Sequence, residues 1–176
     1  MKKIITLLAV IGMFGFQGCT GPEGPPGVPG QDGLTPQAFE LKNVSLSRVT
    51  DNHYELKRTF ASTALGGNLY DDETVLVFRM TGTINSSTPI WQSIPRSIYF
   101  SSTSVLDYDY DFSKVDFVIS ADATYNLLNE PNINNQTFRF VIVPSNLIGK
   151  VDNNNYYQVM SVLKLNEDQI QKIDMK

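Results

Sequence analysis

The sequence predicts a mainly β fold: an antiparallel β-sandwich of about seven or eight strands with a short C-terminal helix, preceded by a signal peptide and an extended linker. Three observations carry this. Leu106, Tyr108, Tyr110 and Phe112 alternate with Asp107, Asp109 and Asp111, a period of two that in a strand sends aromatics to one face and carboxylates to the other. The runs 75–78 and 138–143 are nearly continuous in apolar residues, as strands covered on both faces are. Between residues 126 and 155 the chain carries nine asparagines, a composition that favours turns over strand interiors.

Taken in order, residues 39–49 and 54–62 are the first strand candidates, separated by the polar turn Thr50-Asp51-Asn52. The run 75–78 follows, and Arg79 and Arg139 are expected to end or edge the two apolar strands. Trp91 and Ile94 precede Pro95, after which 97–101 resumes as a strand. The alternating segment 106–112 passes through Ser113-Lys114, a tight hairpin connection, into Val115, Phe117, Ile119 and Ala121 on one side of the next strand. Near the C-terminus Tyr156, Val159, Met160 and Leu163 follow i, i+3, i+4, i+7, with residues 152–154 offering an N-cap. Asn166 with Gln169 three residues on has the form of a capping box for a second short turn.

Composition closes off several function classes. With one His and one Cys in 176 residues, a two-histidine metal site, a Cys-rich zinc site and an internal disulfide are excluded. The formal charge is −4, so the basic footprint of a nucleic-acid binder is missing and no nucleic-acid partner is expected. The body must hold itself together by apolar packing.

The chain divides by composition into residues 1–18, 19–35 and 36–176. Lys2 and Lys3 precede a thirteen-residue apolar run, 4–16, the build of a secretory signal peptide. The run is shorter than the roughly 20 apolar residues of a transmembrane helix. The only cysteine, Cys19, follows it directly, with Gly18 just before. This resembles the lipobox of bacterial lipoproteins, with Phe16 and Gln17 departing from the residues usual there. The resemblance implies that Cys19 is diacylated on its thiol and that a lipoprotein signal peptidase cuts before it; a free thiol beside an ordinary cleavage site is the alternative. Cleavage there would leave 12 basic and 18 acidic side chains, a formal −6, so lipid rather than a basic patch is expected to hold the body at a membrane.

Gly21, Gly24, Gly27, Gly30 and Gly33 then recur in strict period three, a collagen-like pattern. Five triplets are few, so a trimer is not favoured and an extended spacer of about 45 Å is expected. Lipobox and triplets together resemble a group of short collagen-like-repeat lipoproteins of Gram-negative bacteria whose bodies are strand-rich; segments 75–79, 90–91, 108–112 and 138–144 are similar to those bodies. That resemblance implies an address and an architecture and no reaction. Thr20 after the cysteine, where an Asp in some relatives argues for inner-membrane retention, favours the outer membrane, with its leaflet open.

Candidate sites in the body have plain structural readings. Asp107, Asp109 and Asp111 begin like an EF-hand loop, but Phe112 stands where that loop has glycine and Val118 where it has glutamate, so solvated carboxylates on a strand are expected and no metal. Asp71-Asp72-Glu73 after Gly66-Gly67-Asn68 reads as a surface loop. His53 sits in a predicted turn, without a nucleophile elbow or a spare cysteine to partner it. Trp91 reads as a core or rim aromatic before a sugar-stacking platform. The expectation is a lipid-anchored envelope protein with a structural or binding role, without cofactor or catalytic residue. Its partners would be the membrane through Cys19 and a glycan or envelope protein; the alternative is a surface glycan-binding module.

Overall fold

The computed structural model describes residues 34–85 and 87–176, so the signal segment, Cys19 and the five triplet glycines lie outside the described residues. The described chain is a β-sandwich of two five-stranded sheets. The first runs β10 (Gln171–Asp174), β1 (Gln37–Val44), β9 (Gln136–Pro144), β4 (Glu73–Asn85), β5 (Thr88–Ser93). The second runs β2 (Ser47–Arg48), β3 (His53–Thr59), β8 (Asp116–Ala123), β7 (Val105–Phe112), β6 (Arg96–Tyr99). Every pairing is antiparallel except β1 with β10.

The ten strands exceed the expected seven or eight because short edge pieces join the sheets, two residues in β2 and four in β10. The candidate strand 39–49 divides between the sheets. Asn43 takes a left-handed backbone (φ 56°), which Asn tolerates better than most residues, and the register slips between Leu41 and Val44. The Leu46 N–H then donates to the Ile133 carbonyl, and β2 starts in the other sheet.

The interior between the sheets follows the period-two reading. Leu106 and Tyr108 from β7 and Phe117, Ile119 and Ala121 from β8 are buried, while Asp107, Asp109 and Asp111 face solvent. They meet Val75, Val77, Phe138, Phe140 and Ile142 of the first sheet. Phe140 stacks on Phe39 at 4.8 Å and touches Phe117 across the sheets at 4.5 Å, joining both layers.

The strands β4 and β9 are covered on both faces, as their apolar runs require. A short helix α1 (Ser145–Ile148) and a second, α2 (Tyr156–Val162), lie over the outer face, where Tyr156, Val159, Met160 and Leu163 pack on Leu76, Phe78, Val141 and Val143. The helix N-cap is Asn155, whose side chain accepts from the Gln158 N–H at 3.1 Å, one residue beyond the span 152–154. The turn at Glu167–Gln169 forms with the Gln169 side chain accepting from the Asn166 N–H at 2.8 Å.

Both arginines depart from expectation. Arg139 does not end or edge β9: it sits mid-strand in the central strand, 1% exposed. Arg79 closes the pairing of β4 with β9, opposite Phe138, but β4 continues six residues beyond it. A strand tolerates such a residue when its guanidinium is fully partnered, a condition that the local sequence does not reveal.

Candidate functional site

The outer face of the first sheet is built in cross-strand rows. Toward the Gln37 end of β1, Ala38, Val141 and Leu76 lie side by side under α2. The next row is Lys172, Glu40, Arg139, Phe78 and Ser93. Beyond it, toward the Val44 end, helical cover stops and a groove of about 630 Å³ opens, within the range of about 300–1,000 Å³ usual for small-ligand sites. Trp91, Met80, Thr137 and Arg139 line it along the sheet, and Tyr157, Glu167, Lys42 and Lys172 stand at its sides. A register shift between Met80 and Gly82 turns Thr83 and Pro89 onto the same face as Met80 and Trp91.

Arg139 organises one side of this groove. Its Nε donates to Glu40 Oε2 at 3.1 Å, and Nη2 donates to the same oxygen. Glu167 takes a bidentate pair, Nη1 to Oε1 at 2.6 Å and Nη2 to Oε2 at 3.1 Å. Nη1 also donates to the Tyr156 hydroxyl, which in turn donates to Glu167 Oε1 at 2.9 Å. These contacts occupy all five guanidinium N–H groups. Burial works against the Arg139 charge, and Glu167, Tyr156 and Glu40 more than restore it. Partial burial likewise opposes ionisation of Glu167, but the Arg139 and Tyr156 hydrogen bonds outweigh it and hold the carboxyl below the usual range. Burial pushes the Tyr156 hydroxyl up.

The guanidinium plane also lies over the Trp91 ring at 4.3 Å, with Tyr156 at 5.2 Å from the same ring. Trp91 is therefore a core aromatic, 9% exposed, and not an open platform. Its indole N–H is the buried side-chain polar atom left without a hydrogen-bond partner among the described residues. Tyr157 presents the exposed ring beside the groove: its hydroxyl donates to the Pro89 carbonyl at 2.7 Å, which fixes the ring against the β4–β5 hairpin.

The other sequence candidates lie elsewhere. Asp107, Asp109 and Asp111 stand on the outer face of the second sheet, with Asp107 directly opposite Asp122. Asp122 Oδ1 is 2.7 Å from His53 Nδ1, while His53 Nε2 faces Glu55 at 3.7 Å, so the imidazole sits at the start of β3 between two carboxylates. Among the described residues, no group of three or more His, Cys, Asp or Glu side chains is disposed to hold a metal ion. Asp71 and Asp72 lie in the surface loop before β4, Asp71 paired with Lys114 and Glu73 capping the Tyr70 N–H at 2.8 Å. Cys19 lies outside the described residues. Among the described residues no helix is long and apolar enough to cross a membrane.

Sequence reasoning missed the Arg139 cluster. The partners are separated by up to 99 residues along the chain. The available signal was a charge inside Phe138-Arg139-Phe140, where both faces of the strand are otherwise apolar. No protein-family model matches the chain, and comparisons with curated proteins and with solved structures give no match.

Proposed function

We propose that this chain is a lipid-anchored, non-enzymatic protein of the cell envelope whose β-sandwich serves a structural or binding role. One observation carries the proposal: Cys19 stands three residues past the end of a lysine-led run of thirteen apolar residues and two residues before the first of five Gly-X-Y triplets. A cysteine so placed is positioned for acylation, and a single chain gives only marginal membrane binding, so two or three acyl chains make the attachment durable. The triplets then act as a spacer between lipid and sandwich. Thr20 directs the product to the outer membrane in this reading.

A binding role for the body is supported by the groove beside Arg139. Arg139, Glu40 and Glu167 are engaged with one another, leaving Lys42, Lys172, hydroxyl groups and the Tyr157 ring to meet a partner. That arrangement also favours the second reading, a module for glycan or polysaccharide.

The test is metabolic labelling of cells with radioactive palmitate, comparing the native chain with Cys19→Ser. Label on the native chain, its absence from the variant, and loss of the variant from the outer-membrane fraction are the expected results. An unlabelled native chain contradicts the proposal. Protease treatment of intact cells then reports which leaflet carries the body.

A further inference from the structure

We infer that the open edge of β3 at residues 57–59 is a docking site for an extended acidic peptide, which pairs there as an added strand. This rests on the binding reading of the body and names the partner's chemistry, at a surface apart from the groove beside Arg139.

The main chain of β3 supplies the pairing groups. The Phe60 N–H donates to the Val115 carbonyl at 2.9 Å on the β8 side, and the Val49 N–H donates to the His53 carbonyl at 3.0 Å on the β2 side. These directions alternate along an antiparallel ladder, so Lys57 and Thr59, like His53, turn their main-chain groups away from β8. Pairing with β2 ends where Ser47 meets Glu55, because residues 43–46 are crossing from the first sheet, and no described strand lies beside 57–59 on that side. The Ser62 hydroxyl donates to the Thr59 carbonyl at 2.7 Å, which leaves the Lys57 N–H and C=O and the Thr59 N–H for a partner. Two clefts of about 480 and 430 Å³ follow this edge and share Lys57 and Arg58 in their walls, and the larger has Val44, Leu56 and Met175 in its lining.

The side chains select the peptide. Arg48, Lys57, Arg58 and Lys176 line the larger cleft against one carboxylate, Glu55, in a chain whose formal charge is −4. Arg48 and Lys57 hold Asp51 and Asp116 at the surface and Lys176 lies near Asp174, whereas Arg58 forms no ion pair among the described residues. Surface pairs are weak, so the paired cations can still take a carboxylate from a ligand. Cations on an open edge also discourage neutral and basic strands, so the same charges that guard this edge admit an acidic one. A second copy of this chain brings no acidic edge: β5 is uncharged, β6 carries only Arg96, and β10 carries one charge of each sign. A phosphate or an acidic polysaccharide would answer the cations but make no use of the open main chain.

The experiment uses the full native chain in a nonionic detergent and a fluorescein-labelled octapeptide of alternating glutamate and valine, read by fluorescence polarisation. Glutamine-valine and lysine-valine octapeptides, the glutamate-valine peptide methylated on every main-chain nitrogen, and polygalacturonate complete the arms. The expected result is saturable binding of the glutamate-valine peptide, at least about tenfold tighter than that of each other probe. Arg58→Ala should weaken it about tenfold. Thr59→Pro removes the edge donor, at a residue whose φ of −87° is close to what proline adopts, and should weaken binding a few-fold. Lys172→Ala, on the other sheet, should leave it unchanged. Absence of saturable binding overturns the inference. So does equal affinity for the methylated peptide or polygalacturonate, which marks a site for anions at large, and so does native affinity in either the Arg58 or the Thr59 variant when its urea unfolding is also native. Palmitate labelling at Cys19 is unaffected by any of these results, so failure of the partner assignment and failure of the anchor are read separately.

Discussion

The two faces of the first sheet are finished by different means. The inner face, Val75, Val77, Phe138, Phe140 and Ile142, meets a second sheet of matching length, and nothing charged is needed along it until Arg79 at the rim. The outer face is covered by the four-residue α1, by α2, only seven residues long, and by the turn after it. Seven residues span about 10 Å at 1.5 Å each, too little to roof five strands. Apolar cover therefore ends at the row of Arg139, where a buried guanidinium, two carboxylates and a phenol make the margin, and beyond it lies the groove. A large apolar interface is tolerant of how its parts meet, whereas a guanidinium with five satisfied donors fixes where the C-terminal segment docks.

The comparison can be broken most severely from the inner side. Phe140→Ala removes the ring that touches both Phe39 and Phe117, and should cost about 3–5 kcal/mol in urea unfolding without altering the chemistry of the outer face. On the outer side, Arg139→Met strips the buried Glu40 of its salt-bridge partner, and should cost about 3 kcal/mol. The sharper readout there is the pair: Glu40→Gln added to Arg139→Met should cost less than the sum of the two single changes, because the stranded charge is gone. Additive costs would show that the cluster does not act as a unit.

The smallest expected effect is the pH dependence contributed by Glu167. Its carboxyl is held below the usual range when folded, so its contribution is complete above the unfolded value of about 4.3 and is lost as pH falls through the folded value. Stability curves of the native chain and Glu167→Gln should differ at neutral pH and converge in acid. Curves that stay parallel down to the acid limit would assign Glu167 no role in the clamp.

How much of this was legible in the chain follows from the range of the interactions. Alternation at 106–112 is local, and β7 and β8 fall where it places them, with the aspartates outward. The double-sided apolar runs likewise mark β4 and β9 as inner strands, and the spacing of Tyr156, Val159, Met160 and Leu163 marks the buried side of the C-terminal helix. The parallel pairing of β10 with β1 joins residues more than a hundred positions apart and leaves no local trace. The site was hidden for the same reason. Arg139 reads as a strand end when seen alone, and only the fold brings Glu40 and Glu167 to it. Trp91 was readable as core or rim; Tyr157, one position from a buried helix residue, carried no signal that its ring would stand beside a groove.

Attachment of the body to a membrane is the claim on which its role depends, and the mass of its N-terminal peptide tests that claim most directly. Purified from its own cells, the chain should begin at Cys19 and carry the added mass of two or three acyl groups. A chain that retains residues 1–18, or that begins at a cysteine of unmodified mass, contradicts the account.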